Sequence, residues 1–190
     1  MTQAAHVLVH TFAEYLTLEA RSDTKHELVN GEIFAMAGGT VEHGRLSVNV
    51  MLEIGVALRG RPCVVLNSDV RVRVRATGLV TYPDASVVCG QVETDPEDRN
   101  TVVNPVVIVE VLSDSTEKYD RNDKWAHYRR IPSLRDYLLV SQHERRVEHY
   151  HRNDDGTWTL RDVGEGGEVH LASIGCALAV DAIYHDPLGR

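Results

Sequence analysis

Val106-Val107-Ile108-Val109-Glu110-Val111-Leu112 is apolar at every position but one, so a strand formed here must be covered on both faces. Ser113-Asp114-Ser115-Thr116 then offers several side chains able to cap a helix, which the sequence carries to about Arg130 and stops at Ile131-Pro132. Tyr137 to Val140 is a second apolar strand. Strand, helix and strand without a polar face define the centre of a mixed sheet flanked by helices, in the α/β to α+β range.

Working outward, Val70-Arg71-Val72-Arg73-Val74-Arg75 alternates strictly and has one buried face. Val64-Val65-Leu66 precedes it as a strand. Leu79 to Val88 reads as another, interrupted by Pro83, and Gly90 to Asn104 as a polar surface loop. Further back, Thr40 can cap a long amphipathic helix that presents Leu46, Val50, Ile54 and Ala57/Leu58 and ends by Gly60. Asn30-Gly31 joins His26–Val29 to Glu32–Met36 as a hairpin. Thr11 and Glu14 form a capping box for a helix from about Phe12 to Ala20, preceded by a loose arm over residues 1–10. Downstream, residues 141–190 are strand-rich, with Asp155-Gly156 as a hairpin turn. Neither a repeat nor a linker divides the chain, which predicts a single domain with its core over about residues 11–140.

The composition is that of a globular protein, with 43% hydrophobic and 25% charged residues in 190. No apolar run approaches the roughly 18 residues of a membrane span, and the first residues lack the pattern of a secretory leader, so a cytoplasmic protein is expected. Cys63, Cys89 and Cys176 are odd in number, far apart and without CxxC spacing, which predicts buried thiols rather than a disulfide framework or thiolate zinc site. The net charge of −8 argues against non-specific coating of nucleic acid. That charge is uneven: residues 91–100 carry −3 and residues 154–186 carry −6, leaving +1 on the remainder. The acidity thus sits in a surface loop and in the tail, and the rest of the chain is close to neutral.

A carboxylate at Glu110, in a doubly covered strand, is costly unless paired, protonated or bound to a cation. Asp84, after Pro83, poses the same problem in a second apolar segment, although Pro-Asp is also a common turn signal. If the two strands are neighbours, the two acids converge as hard oxygen ligands suited to Mg²⁺, the basis of metal-assisted phosphodiester hydrolysis. Only three lysines, Lys25, Lys118 and Lys124, stand against 17 arginines. Asp120, Lys124 and Tyr128 share one helix face at i, i+4 and i+8, able to lean over the Glu110 strand or to form a solvated pair.

Tyr82-Pro83-Asp84-Ala85-Ser86-Val87-Val88, Val109-Glu110-Val111-Leu112-Ser113 with Ser115-Thr116, then Asp120, Lys124, Tyr128 and Asp136-Tyr137 together resemble the signature of the Uma2 restriction-endonuclease family, within the PD-(D/E)XK nuclease superfamily. The resemblance runs from His26-Glu27-Leu28-Val29-Asn30-Gly31-Glu32 to Ile183-Tyr184. It implies a restriction-endonuclease-like core, an Mg²⁺ or Mn²⁺ cofactor held by Asp84, Glu110 and the carbonyl of Val111, and DNA as substrate. The superfamily's Glu-x-Lys is broken here, because position 112 is Leu; the resemblance moves the lysine to Lys124, with Lys118 as fallback. A further acid is expected from Glu32, Glu42 or Glu53, and His43 could orient water or touch phosphate; the resemblance favours Glu32 and His43.

Two clusters fall outside this pattern. Arg71, Arg73 and Arg75 share a strand face and could track a phosphate backbone, but an ion-pair ladder or solvated face is the expected reading. His149 and His151 also share a face, with His143 near; zinc is geometrically feasible, yet without an obvious acid beside them an exposed hairpin is expected. Cutting both strands of a duplex favours a homodimer. The rival to a nuclease is a nuclease-fold module that binds nucleic acid or protein without turnover.

Overall fold

The computed structural model describes residues 9–114 and 116–189. The capping role open to Ser115 and most of the N-terminal arm lie outside the described residues. Along the chain run α1 (Phe12–Glu19), the hairpin β1 (His26–Val29) and β2 (Glu32–Ala35), α2 (Val41–Ala57), β3 (Cys63–Asn67), β4 (Arg71–Val74), β5 (Leu79–Thr81) and β6 (Ala85–Cys89). Then come β7 (Thr94–Asp95), β8 (Asp98–Val102), β9 (Val107–Val111) and a helical segment in three pieces: α3 (Glu117–Tyr119), a π turn (Asp120–Lys124) and α4 (Trp125–Tyr128). The chain closes with β10 (Asp136–Val140), β11 (Arg146–Arg152), β12 (Trp158–Gly164), β13 (Glu168–Leu171), β14 (Cys176–Ala179) and α5 (Val180–Ile183).

The local signals act as physical chemistry requires. Thr11 and Glu14 complete a reciprocal capping box on α1, and the Thr40 side chain caps α2 by accepting from the His43 N–H. Asn30 and Gly31 both take positive φ, 52° and 84°, the geometry that turns a two-residue hairpin with the twist of its strands.

β9 lies inside a six-stranded sheet ordered β12-β11-β10-β9-β6-β3, antiparallel to β6 and parallel to β10. All five of its residues are buried. One face carries Val107, Val109 and Val111 against Leu46, Val50 and Ile54 of α2, and the β13–β14 hairpin and α5 extend that layer. Each of these three α2 side chains is fully buried, worth about 1.5–3 kcal/mol apiece before entropy is counted. The opposite face carries Ile108 and Leu112 against Tyr128, Leu134 and Leu139, and against Val72, Val74 and Leu79 of a second sheet ordered β2-β1-β5-β4-β8-β7. The mixed α+β architecture with helices flanking mixed sheets is thus as expected.

Four details differ from the sequence reading. Leu79–Val88 is two strands in two sheets, β5 in one and β6 in the other. Pro83 cannot donate to a ladder, and the chain changes sheet there. Gly90–Asn104 is not a plain loop: it holds the β7–β8 hairpin, with β8 parallel to β4. Acids from that hairpin meet the basic strand, since Asp98 pairs with Arg71 at 2.7 Å and Asp95 with Arg73 at 3.0 Å, so the arginine row is an ion-pair ladder. Cys63 and Cys89 are direct cross-strand partners on β3 and β6 and form a disulfide, while Cys176 is free. Sequence separation hid that pairing, which only register reveals. His149 is buried rather than exposed, because Asp136 of β10 supplies the acid that the sequence did not reveal. Among the described residues no helix is long and apolar enough to cross a membrane.

Candidate active site

Where β5 gives way to β6, the two sheets part, and the side chains at the parting are charged. Glu110 faces away from α2 toward the helical segment 117–128 and is 4% exposed. The Tyr128 hydroxyl donates to its Oε1 at 2.8 Å and the Lys124 ammonium donates to the same oxygen at 3.2 Å. Thr81 of β5 lies 3.1 Å from the Tyr128 hydroxyl, so Tyr128 links the second sheet to Glu110.

Lys124 also stands 3.1 Å from Asp120 Oδ1 and 3.1 Å from Glu27 Oε1. Asp120 and Lys124 are the first and last residues of the π turn, and both are buried. A π turn widens the helix locally and is frequent at functional sites; here Asp120, Lys124 and, one turn on, Tyr128 all serve the Glu110 pocket.

Asp84 occupies the gap beside the end of β9. Its Oδ2 accepts from the Val111 N–H at 2.7 Å and lies 3.3 Å from His43 Nε2 in the first turn of α2. Leu112 directs its N–H to Val140 of β10, so Val111, one residue before it, turns its backbone groups the other way, into the gap left where strand pairing to β6 ends at Val109.

The electrostatics follow from this crowding. Burial pushes the Glu110 carboxyl well above the usual carboxylate range; Lys124 opposes that, while Asp120, Asp84 and Glu27 add to it. Asp120 is raised by burial as well, with Lys124 again opposing. Burial works against the Lys124 ammonium, but Glu110, Glu27 and Asp120 outweigh it and hold its pKa well above normal. The hydrogen bond with Asp84 raises the His43 imidazole above its ordinary value, against partial burial.

Two buried oxygens, Glu27 Oε1 and Asp120 Oδ1, are near the ammonium in the ion-pair sense yet lie in no direction that makes a hydrogen bond. Four carboxylates gathered around one lysine and one histidine form a hard donor set that suits Mg²⁺ or Mn²⁺. Asp84 and Glu110, with the Val111 carbonyl, could hold such an ion.

The structure thus brings together Asp84, Glu110, Val111, Lys124 and His43. Glu32 is not among them: it is exposed on the edge strand β2. Its place is taken by Glu27 on β1, which lies inside its sheet between β2 and β5. The two strands of the hairpin look alike in sequence, and the signal that could have separated them is which one has a neighbour on both sides. Glu42 pairs with Arg45 on the helix surface, Glu53 lies ten residues beyond His43, and Lys118 is exposed.

The model of the Uma2 family, described as "Putative restriction endonuclease", matches residues 12–181. Two proteins of Synechocystis sp. (strain ATCC 27184 / PCC 6803 / Kazusa), both described as uncharacterized, are similar over nearly all of their length. Slr1290 is 41% identical over 174 residues, covering 90% of this chain and 89% of its own. Sll1609 is 34% identical over 173 residues, covering 90% and 98%. A crystal structure of a protein from Anabaena variabilis, titled a putative nuclease belonging to DUF820, superposes with a TM-score of 0.76 at 16% identity, covering 92% of this chain and 97% of that one; it shares the fold. With a family match across most of the sequence and relatives above 30% identity, the chain belongs to the Uma2 family.

Proposed function

We propose that this protein is a divalent-cation-dependent endonuclease that hydrolyses DNA phosphodiester bonds at the Glu110 cluster. The observation that carries the reading is the meeting of acids and ammonium at the parting of the two sheets: Asp84 accepts from the Val111 N–H at the end of β9, and Lys124 donates to Glu110 on the same strand. Asp84 and Glu110 would hold Mg²⁺ or Mn²⁺, with the Val111 carbonyl as third protein ligand. Such an ion, when bound, supplies a Lewis acid for the phosphate and a more acidic water.

The chain's own groups do the rest. Lys124, fixed by three carboxylates, presents a permanent positive charge beside Glu110, where it orients the attacking water and offsets charge developing on the phosphate. Tyr128 holds the Glu110 carboxylate in one orientation. His43, kept protonated more readily by Asp84, can donate to a phosphate oxygen or to the leaving alkoxide. Glu27 and Asp120 keep Lys124 charged despite its burial.

The test is cleavage of supercoiled plasmid and of labelled oligonucleotides with Mg²⁺ or Mn²⁺, with chelator, and with Asp84→Ala and Glu110→Gln. Nicking or linearisation that requires the cation and falls at least about 100-fold in both variants is expected. Equal cleavage by parent and variants would remove the site assignment, and a parent inert on every nucleic acid offered would remove the activity.

A further inference from the structure

A second group of ligating side chains lies on the opposite face of the same sheet. In register, Asp136 stands beside Val107, three residues along from the Leu139–Glu110 pair, which is about 10 Å along the strands. Strand alternation turns Asp136 toward the α2 layer, whereas Glu110 points to the other. His151 is the direct partner of Asp136 across β10–β11, and His149, two residues before it, projects from the same face.

The two imidazoles converge on one oxygen. His149 Nε2 and His151 Nδ1 are each 2.7 Å from Asp136 Oδ1, and the three donor atoms lie within 4.8 Å of one another. The other Asp136 oxygen accepts from the Ser173 hydroxyl, in the turn Ala172–Ile174 of the C-terminal extension. Asp136 is fully buried and His149 is 1% exposed, while the His151 side chain remains 29% exposed and gives the group an opening to solvent. Apolar Leu138, Val147, Leu171 and Ile174 belong to the core layer behind it.

We infer that Asp136, His149 and His151 form a binding site for a borderline divalent transition-metal ion, Zn²⁺ foremost, separate from the Glu110 cluster. Two imidazole nitrogens and one carboxylate oxygen are a donor set that Zn²⁺ accepts, and three protein ligands leave one position for water on the open His151 side. Mg²⁺ prefers oxygen ligands and is a poor match. Ser173, bonded to the second carboxylate oxygen, fixes the Asp136 orientation as an outer partner does in such sites. Because the ligands come from β10 and β11 and the outer partner from the extension, the ion fastens the strand-rich tail to the central sheet.

The inference does not depend on nuclease activity and is tested without it. Chelator-stripped full-length protein is titrated with Zn²⁺ by calorimetry in excess Mg²⁺, and with Co²⁺ while visible absorption is recorded. Parent and Glu110→Gln should each bind one equivalent of Zn²⁺ and develop the intense absorption of four-coordinate Co²⁺. His151→Ala should weaken Zn²⁺ by more than the roughly 10–100-fold that losing an outer partner costs, and abolish the Co²⁺ band. His151→Gln, which can keep a hydrogen bond to Asp136, provides a folded counterpart that should also lose the ion. A parent that binds no Zn²⁺, or His151 variants that bind it as tightly as the parent, would overturn the assignment and leave a hydrogen-bonded Asp-His-His group only.

Discussion

Glu110, a carboxylate within a strand that is apolar on both faces, has to be paired, protonated or cation-bound, and it is paired with Lys124 and Tyr128 while its pKa stays raised. That requirement is readable from the sequence, because the seven residues around it leave no polar face for the side chain. The sign of the shift has a consequence for stability. A carboxyl whose folded pKa lies above its ordinary value of 4.5 contributes fully below that pH and loses its contribution as pH rises toward the folded value. Glu110→Gln should therefore match the parent near pH 4 and be more stable than it at neutral pH without divalent cation, since Lys124 keeps Glu27 and Asp120 as partners. Chemical denaturation at several pH values checks this; a variant less stable than the parent at pH 7 would show that the ion pair outweighs the cost of burying the charge. Glu27 was not legible in this way, because its demand for a partner arises from a strand in the other sheet.

Elements were legible where local chemistry decides them. The Thr11–Glu14 box, the Thr40 cap and the Asn30-Gly31 turn are interactions within a few residues, and each appears as read. What failed was pairing over distance. The segment Leu79–Val88 has one composition but two destinations, and the acidic stretch 91–100 looked like a loop because its strands answer to arginines 20 to 30 residues earlier. The Cys63–Cys89 disulfide belongs to the same class. It ties the edge strand β3 to β6, the strand that begins directly after Asp84. By loop-closure entropy, a bridge across 26 residues is worth about 3.5 kcal/mol. Cys89→Ser, or reduction of the parent, should lower the melting temperature by about 7–14 °C for a chain of this size. Unchanged melting under reducing conditions would mean that the β3–β6 ladder holds the edge without it.

At the scale of the whole molecule, the candidate site lies between layers rather than within one. Glu27 comes from the second sheet, Glu110 from the central sheet, and Lys124 and Asp120 from the helical segment beside them; Thr81 and Tyr128 add a hydrogen bond across the same gap. A divalent cation held there would offset the repulsion among carboxylates on both sides. Backbone amide exchange in β1 and in residues 120–124 should slow on adding Mg²⁺ to the parent and not to Asp84→Ala, measured by mass spectrometry. Protection that fails to change, or changes equally in both, would place the cation elsewhere. The acidic hairpin β7–β8 is occupied with the arginines of β4, so its charge is largely spent within the second sheet.

The change of sheet at Pro83-Asp84 also bears on how the protein is made. Its two sheets interleave along the chain, so the carboxylates arrive early, Glu27, Asp84 and Glu110 in turn, and the ammonium that reconciles them arrives at residue 124. A nascent chain stopped short of that point holds the acids without their lysine and without the helical segment that orders them.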